Sequence, residues 1–366
     1  MKTSVSCPTL VLDVDRCKRN IQRMAKKAKE SKVIFRPHFK THQSLEIGKW
    51  FKEVGVNCIT VSSLRMAQYF SEEWDDITVA FPVNLREIDL INDLATKIHL
   101  TLLVESVETV QFLNNQLLDK VGCFVKIDTG YHRTGIPVSK IELLDDLLNC
   151  ISASDKIQFK GFLTHTGHTY SCRSKEEIES IYMVAVNELS GLKKRYLNRF
   201  PNLILSFGDT PSCSVLDDFS AFDEIRPGNF VFYDVTQCLI GSCESKDVAV
   251  ALACPVVAIH KDRNEIVIYG GGIHLSKDRI EENSQLIFGK IVKNSGLKWG
   301  DEIDGMFVKS LSQEHGIVYC PERIIDDFNV GDLIYVLPIH SCMTIDLMKK
   351  YLTTKNDWVS CMKLEQ

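Results

Sequence analysis

The chain has 366 residues, of which 45% are hydrophobic and 25% are charged, and its formal net charge at pH 7 is -5. This composition is ordinary for a globular protein, and the length predicts one large domain with a smaller one. The small negative charge gives no reason to expect nucleic acid or an anionic membrane as a partner. No apolar run reaches the roughly 18 residues that span a bilayer, and residues 1–8 lack the apolar core of a secretory signal.

The thirteen cysteines are scattered, odd in number, and include no C-x-x-C pair. Several lie in apolar runs, where a reduced cysteine packs as a small core residue; Cys58, Cys123 and Cys254 are examples. We therefore expect a reducing, cytoplasmic compartment and no disulfide framework.

Short β-branched runs that alternate with amphipathic stretches predict a parallel sheet with helices on both faces. The candidate strands are Val33–Phe35, Cys58–Val61, Ile77–Ala80, His99–Val104, Cys123–Ile127, Phe159–Thr164, Leu203–Phe207 and Glu224–Arg226. The candidate helices include Leu45–Glu53, Leu64–Trp74, Leu85–Ala95, Val107–Leu118, Ile141–Ile151 and Glu176–Leu197. Eight such units within about 200 residues favour a closed (β/α)8 TIM barrel over an open doubly wound sheet.

From about Cys243 the pattern changes to strands separated by turns, without long helical periods. The clearest strand candidates are Val248–Ile259, Glu265–Tyr269 and Leu333–Leu337, and Thr9–Asp13 could add another. We expect residues 14–244 to form the barrel, and residues 245–366 with residues 1–13 to form a smaller β domain.

Polar clusters follow five of the predicted barrel strands at their carboxyl ends, where such barrels carry their chemistry. They are Lys40 after the first strand, residues 128–135 after the fifth, 165–168 after the sixth, 208–212 after the seventh and 227–229 after the eighth. Loops rich in Gly, Ser, Thr and Asn expose backbone N–H groups that can hold a phosphate. The phosphate candidates are Gly208, Thr210, Gly228 and Asn229, with ordinary turn chemistry as the alternative.

Two further patterns suggest chemistry. Lys40 stands among three other basic side chains in residues 36–42 (RPHFKTH), and neighbouring cations lower a lysine pKa, which suits an amine that forms a Schiff base. His340 and Cys342 lie two positions apart. On a strand they would face the same side and could share a soft or borderline metal ion such as zinc.

Six segments, in order along the chain, resemble a single family: residues 36–42, 130–135 (GYHRTG), 165–168 (HTGH), 224–230 (EIRPGNF), 313–316 (QEHG) and 340–342 (HSC). They are similar to the D-serine dehydratase and D-threonine aldolase group of fold-type III, alanine-racemase-like, pyridoxal-phosphate enzymes. The resemblance runs from about residue 8 to residue 347. Within the group, the eukaryotic-type D-serine dehydratases carry His-x-Cys, and so do the D-threo-3-hydroxyaspartate dehydratases. The D-threonine aldolases carry His-x-Asp instead.

The resemblance implies a homodimeric lyase that acts on a small D-3-hydroxy amino acid with pyridoxal 5'-phosphate and Zn²⁺. Lys40 would carry the cofactor, and its freed amine would take the substrate's α-proton. Arg133 would approach the pyridine nitrogen, and His165 and Tyr170 would contact the cofactor. His340 and Cys342 would hold the metal, which would assist departure of the β-hydroxyl.

Three activities stay open. The first is elimination of water from D-serine to give pyruvate and ammonia, followed by dehydration of D-threo-3-hydroxyaspartate and retro-aldol cleavage of D-threonine. A non-catalytic pyridoxal-phosphate carrier is disfavoured, because such carriers lack a β domain and a metal motif.

Asp209 departs from the family pattern, which has serine or a small residue at this position. A carboxylate facing the phosphate would repel it, so we expect the Asp209 side chain to point away. Glu314 and His315 could orient a metal ligand or form a plain hairpin turn.

Overall fold

The computed structural model describes residues 5–363. The chain folds into two compact units. The barrel unit comprises Gln22–Lys40 and Gly48–Gly228, and the β unit comprises Met1–Ile21, Thr41–Ile47 and Asn229–Gln366.

The helices are α1 (Val14–Glu30), α2 (Leu45–Lys52), α3 (Leu64–Phe70), α4 (Ile88–Ala95), α5 (Val107–Gln116), α6 (Ile141–Ser152), α7 (Lys175–Tyr196), α8 (Thr210–Val215), α9 (Val235–Ile240), α10 (Gly272–Leu275) and α11 (Ser341–Met348). The strands are β1 (Thr9–Leu12), β2 (Ile34–Phe35), β3 (Ile59–Val61), β4 (Asp76–Pro82), β5 (His99–Val104), β6 (Val121–Asp128), β7 (Ile136–Pro137), β8 (Ile157–Leu163), β9 (Ile204–Phe207), β10 (Glu224–Ile225), β11 (Val250–His260), β12 (Glu265–Tyr269), β13 (Ile280–Glu282), β14 (Gln285–Ile287), β15 (Gly289–Ser295), β16 (Lys298–Leu311), β17 (His315–Tyr319), β18 (Leu333–Pro338), β19 (Lys350–Thr353) and β20 (Trp358–Ser360). Within residues 5–363, no helix combines the length and apolar character needed to cross a bilayer.

Eight parallel strands of the barrel unit are hydrogen-bonded in the order β2-β10-β9-β8-β6-β5-β4-β3, and the short strand β7 pairs with β6 outside this order. The ring closes just after β2, where His38 forms a parallel bridge with Thr60 of β3. Thr60 N donates to Pro37 O at 2.9 Å, and Phe39 N donates to Thr60 O at 2.9 Å. The predicted TIM barrel is confirmed, and every predicted barrel strand overlaps an observed strand.

The β unit is built around an antiparallel ring of β11, β12, β17, β16, β15 and β18, closed because β12 pairs with both β17 and β11. β1 pairs with β11 and β19, as the apolar run Thr9–Asp13 suggested. The prediction that the C-terminal part of the chain forms a β domain is thus confirmed.

Residues 229–244 belong to the β unit. Phe232 O accepts from Ala249 N at 2.8 Å, and Thr236 Oγ1 donates to Ile339 O at 2.8 Å. The domain bounds expected from the sequence were 14–244 and 245–366 with 1–13. They differ from this division of the structure and stay a prediction.

Phe39 anchors the segment that closes the barrel. Its ring is fully buried, and its centroid lies 4.9 Å from that of Phe51, 5.0 Å from that of Phe70 and 5.1 Å from that of Trp74. Aromatic rings at these separations add a specific geometry to the hydrophobic burial. The backbone that leads into Lys40 is therefore fixed on one side by sheet hydrogen bonds and on the other by an aromatic cluster.

Two glycines of the barrel unit give a matched test of this packing. Gly161 in β8 has φ +147°, and a Cβ there would lie 1.9 Å from Ile204 O, whereas a Cβ at Gly191 in α7 would meet nothing within 4 Å. We expect Gly161→Ala to lower the free energy of unfolding by at least about 2 kcal/mol. Gly191→Ala should raise it by about 0.5–1 kcal/mol, because alanine is the better helix former. Urea unfolding measures both, and equal effects of the two substitutions would contradict the register of β8 against β9.

Candidate active site

Lys40 follows Phe39 at the carboxyl end of β2, the end at which TIM barrels carry their active sites. Its backbone N–H donates to His38 Nδ1 at 3.3 Å. Arg36, one of the cations predicted to crowd it, is instead neutralised by carboxylates. Arg36 Nε lies 2.5 Å from Glu224 Oε2, and its Nη1 lies 2.6 Å from Asp76 Oδ1.

His165, just beyond β8, is a neutral imidazole of defined tautomer. Its Nδ1 lies 2.6 Å from Gly208 O, and because a carbonyl oxygen only accepts, Nδ1 carries the proton. Burial, followed by the positive charges of Lys126 and Lys40, lowers the pKa of His165 well below its usual value. The structure therefore brings Lys40 and His165 into one electrostatic environment.

Two buried cations of the barrel unit were missed by the sequence interpretation. Lys126 in β6 is 4% exposed, and its pKa is lowered well below the usual value by burial and then by the charges of Arg226 and Arg133. Arg226 donates to Ser206 Oγ at 2.6 Å and to Thr164 O at 2.5 Å. A lysine inside an otherwise apolar strand was the signal available in the sequence. Cations that repel one another favour an anionic ligand, as a phosphorylated cofactor is.

Arg133 lies on the exposed loop after β6, and its guanidinium carbon is 5.0 Å from the centre of the Tyr131 ring. Its charge contributes to the lowered pKa values of both Lys126 and His165. The predicted contact of Arg133 with a pyridine nitrogen stays a prediction.

The candidate phosphate-binding residues Gly208, Thr210 and Gly228 lie in two segments, after β9 and after β10. A Cβ at Gly208 would lie 2.9 Å from the carbonyl carbon of Arg226, so a glycine lets the two backbones approach. Thr210 begins α8, and its Oγ1 accepts from Gly228 N at 3.4 Å. Three of the predicted phosphate candidates are thus close together in the barrel unit.

Both carboxylate oxygens of Asp209 accept hydrogen bonds from nearby residues. Asp209 caps α8 by accepting from Ser212 N at 2.6 Å, and it also accepts from Thr169 Oγ1 at 3.1 Å and from the Thr166 hydroxyl. Burial raises its pKa. These bonds supply the reason why an acidic residue is accommodated at this position: its oxygens are used to cap the helix.

The predicted metal ligands lie in the β unit, where the local structure differs from the expected strand. β18 ends at Pro338, His340 is the N-cap residue of α11, and Cys342 lies in the first turn of that helix. The strand expectation for the two residues was wrong, because the chain turns into a helix at Ser341. His340 Nδ1 lies 3.5 Å from Asp278 Oδ2. Burial alone would lower the pKa of His340, but hydrogen bonds with Asp278 and Cys342 raise it to about 11.

Polar groups of the β unit surround the sulfur of Cys342. Thr41 Oγ1 lies 3.2 Å from it, and Asn229 Nδ2 lies 3.6 Å from it. Asn229 Nδ2 also donates to Asp234 Oδ2 at 2.7 Å, and Asp234 Oδ2 accepts from Ser341 N at 3.0 Å. The Asn229 amide nitrogen is therefore engaged beside Cys342, and its predicted phosphate role stays a prediction.

The donor set of this loop fits a catalytic rather than a structural zinc site. Within the described range, 5–363, no group of three or more His, Cys, Asp or Glu side chains is arranged to hold a metal ion. An imidazole and a thiol are nevertheless zinc ligands, and a two-ligand site keeps positions open. Asn229 Oδ1 is buried without a hydrogen-bond partner among these residues, so an acceptor is left over beside Cys342.

Two further residues singled out from the sequence are Tyr170 and Glu314. Tyr170 lies in the short 3-10 segment Gly167–Ser171, next to His168, whose ring stacks on Tyr131 at a centroid distance of 6.0 Å. Glu314 occupies the turn between β16 and β17, and its carboxylate lies 3.9 Å from His274 Nε2.

A cavity of about 940 Å³ opens at the opposite, amino-terminal ends of the barrel strands. Thr101, Gly122 and Lys160 contribute to its lining, and none of the predicted site residues does. Since TIM barrels place their chemistry at the carboxyl ends, cavity size does not locate this site.

Comparison with known proteins identifies the family. Residues 12–235 match the model of the alanine racemase N-terminal domain, and residues 249–354 match that of a putative serine dehydratase domain. The D-serine dehydratase of Dictyostelium discoideum is 30% identical, over 95% of this chain and 93% of that protein. The chain belongs to the alanine-racemase-like family of pyridoxal-phosphate enzymes. Within this family it is a lyase of the dehydratase and aldolase group, as predicted.

Other members of the group are also similar. The D-threo-3-hydroxyaspartate dehydratase of Delftia sp. is 26% identical, over 93% of this chain and 92% of that protein. Its solved structure shares the fold, with a TM-score of 0.89 at 24% identity over 98% of each chain. A cysteine-to-alanine variant of that enzyme, solved in a metal-free form, gives the same score with the same identity and coverage.

The lowered pKa of His165 predicts a pH dependence of stability. Because its folded-state pKa lies below the unfolded value of about 6.5, the folded protein binds fewer protons at this site once the pH falls below that value. The stability contributed by His165 is present above about pH 6.5 and is lost as the pH falls.

We expect wild type to lose stability relative to His165→Asn by up to about 1.4 kcal/mol per pH unit below pH 6.5. Urea unfolding of the two cofactor-free proteins between pH 8 and pH 5 measures the difference. A difference that stays constant over this range would show that the imidazole is not held neutral.

Proposed function

We propose that this protein is a D-serine dehydratase that uses pyridoxal 5'-phosphate and Zn²⁺ to convert D-serine to pyruvate and ammonia. The observation that carries the proposal is the surroundings of Cys342. Its sulfur lies 3.2 Å from the hydroxyl of Thr41, the residue that follows Lys40 in the sequence. Within the β unit, the residue that directly follows the candidate cofactor lysine in the sequence thus contacts a candidate metal ligand. The identity to a D-serine dehydratase supports the choice of substrate.

Residues of the barrel unit fit the cofactor. Pyridoxal phosphate, when bound, supplies an electron sink for a substrate carbanion. Lys40 would hold the aldehyde carbon covalently, and its amine would afterwards accept the α-proton. Backbone N–H groups at Gly208, Thr210 and Gly228 would bind the phosphate. Arg133 would approach the pyridine nitrogen, and since a guanidinium does not release its proton, it would keep that nitrogen unprotonated.

Residues of the β unit fit the metal. Zinc, when bound, supplies a Lewis acid that stabilises a departing hydroxide, which is otherwise a poor leaving group. His340 and Cys342 would bind the ion, and the remaining coordination positions would admit water and the substrate hydroxyl. The Thr41 hydroxyl and the Asn229 amide would hold the Cys342 sulfur in place.

Dehydration of D-threo-3-hydroxyaspartate is the second candidate, supported by the Delftia relative. Its additional carboxylate would be repelled by the carboxylates that influence His340, those of Asp278 and Asp234. Retro-aldol cleavage of D-threonine ranks third, because the sequence has His-x-Cys and not His-x-Asp. A homodimer and a cytoplasmic location belong to the same proposal, the latter supported by thirteen free cysteines.

A substrate panel tests the activity. We expect pyruvate and ammonia from D-serine, with a kcat/KM several-fold above that for D-threo-3-hydroxyaspartate, and no acetaldehyde from D-threonine. Lys40→Ala should abolish turnover and the covalent product that borohydride fixes in wild type. Lys49→Ala, which removes an exposed lysine paired with Glu73, is the matched control and should leave both unchanged. Faster turnover of D-threo-3-hydroxyaspartate by wild type would favour the second candidate.

Removal of the metal should stop elimination without removing the cofactor. We expect chelator-treated wild type and Cys342→Ser to lose pyruvate formation at least about a hundredfold, because the leaving hydroxide is no longer stabilised. The visible absorbance of the cofactor at Lys40 should persist in both. Cys7→Ser, at an exposed cysteine, is the control and should retain metal and activity. Full turnover by the metal-free protein would refute the role of zinc.

A further inference from the structure

Asp278 places a carboxylate of the β unit against the ring of His340. Its Oδ2 lies 3.5 Å from His340 Nδ1, and the two side chains are comparably exposed, 42% and 41%. A carboxylate at Nδ1 fixes the ring orientation and the proton on that nitrogen. Nε2 is then the nitrogen that remains for a metal ion.

The backbone around Asp278 supports this placement. Ser276 Oγ donates to Asp278 Oδ2 at 2.8 Å, and Asp278 N donates to Ser276 Oγ at 3.1 Å. Ser276 has φ 68° and ψ -174°, a region that residues other than glycine rarely adopt. Strained backbone of this kind persists where the surroundings enforce it and is concentrated at functional sites.

A further hydrogen bond connects this turn to the helix that follows the metal motif. Thr344 Oγ1 in α11 donates to Leu275 O at 3.2 Å. The turn that carries Asp278 and the helix that carries Cys342 are therefore held together within the β unit. The two backbone segments from which Asp278 and His340 project are therefore connected by a hydrogen bond.

We propose that Asp278 is a positioning residue for the metal site: it accepts the Nδ1 proton of His340 and so presents Nε2 to the ion. This inference rests on the proposed function, because it assumes that His340 is a metal ligand. In other proteins, carboxylates that hydrogen-bond a metal-binding histidine contribute 10–100-fold to metal affinity. Asp278 itself does not coordinate the ion.

Zinc affinity tests the inference directly. The dissociation constant of Zn²⁺ is measured by competition with a chelator on the full-length protein containing pyridoxal phosphate. Asp278→Ala should raise it roughly 10–100-fold. Asp278→Asn, which keeps an oxygen acceptor but no charge, should restore part of the affinity. Asp326→Ala, which removes an exposed aspartate paired with Lys261, is the matched control and should bind zinc as wild type does.

Each outcome bears on a different claim. Thermal unfolding of the metal-free proteins checks that the three variants fold alike, and zinc binding is compared among folded proteins. If Asp278→Ala binds zinc as tightly as wild type, or Asp326→Ala loses as much affinity as Asp278→Ala, the positioning role is overturned. If wild type itself binds no zinc, or His340→Ala binds zinc as wild type does, the proposed function is contradicted, whatever the Asp278 variants show.

Discussion

The closure of the barrel at Thr60 is the constraint on which the site depends. Thr60 lies between Pro37 and Phe39 and exchanges backbone hydrogen bonds with both. Phe39 is buried among aromatic rings, so the chain has no freedom to shift just before Lys40. The role proposed for Lys40 needs such fixed geometry, because proton transfer requires donor and acceptor to be held within hydrogen-bonding reach.

Buried acidic side chains with several hydrogen-bond partners organise both units. In the barrel unit, Glu224 is completely buried and accepts from Arg36 Nε and Ser206 Oγ, each at 2.5 Å. In the β unit, Asp234 holds Asn229 and the backbone of Ser341. Removing one partner of a buried charge pair typically costs about 3–5 kcal/mol, whereas the intact pair contributes little net stability. Such groups are better explained by the geometry that they impose on the neighbouring loops.

The sequence was sufficient for the fold but only partly for the site. All eight barrel strands were predictable, because alternating strands and helices leave a strong periodic signal. The helical start at Ser341 was missed, although Pro338 ends the apolar strand two residues before His340. The role of Asp209 as a helix cap and the convergence of Lys126 with Arg226 depend on contacts between distant segments, which local pattern does not encode. The neutralisation of the Arg36 charge beside Lys40 was not predictable for the same reason, because its partners Glu224 and Asp76 are distant in sequence.

The most direct test of the account is diffraction from crystals of the zinc- and pyridoxal-phosphate-containing protein, recorded at the zinc absorption edge. The account predicts one anomalous peak, at about 2.0–2.1 Å from His340 Nε2 and about 2.3 Å from Cys342 Sγ. It also predicts continuous electron density from Lys40 Nζ to the cofactor. An anomalous peak elsewhere, or a lysine other than Lys40 joined to the cofactor, would contradict it.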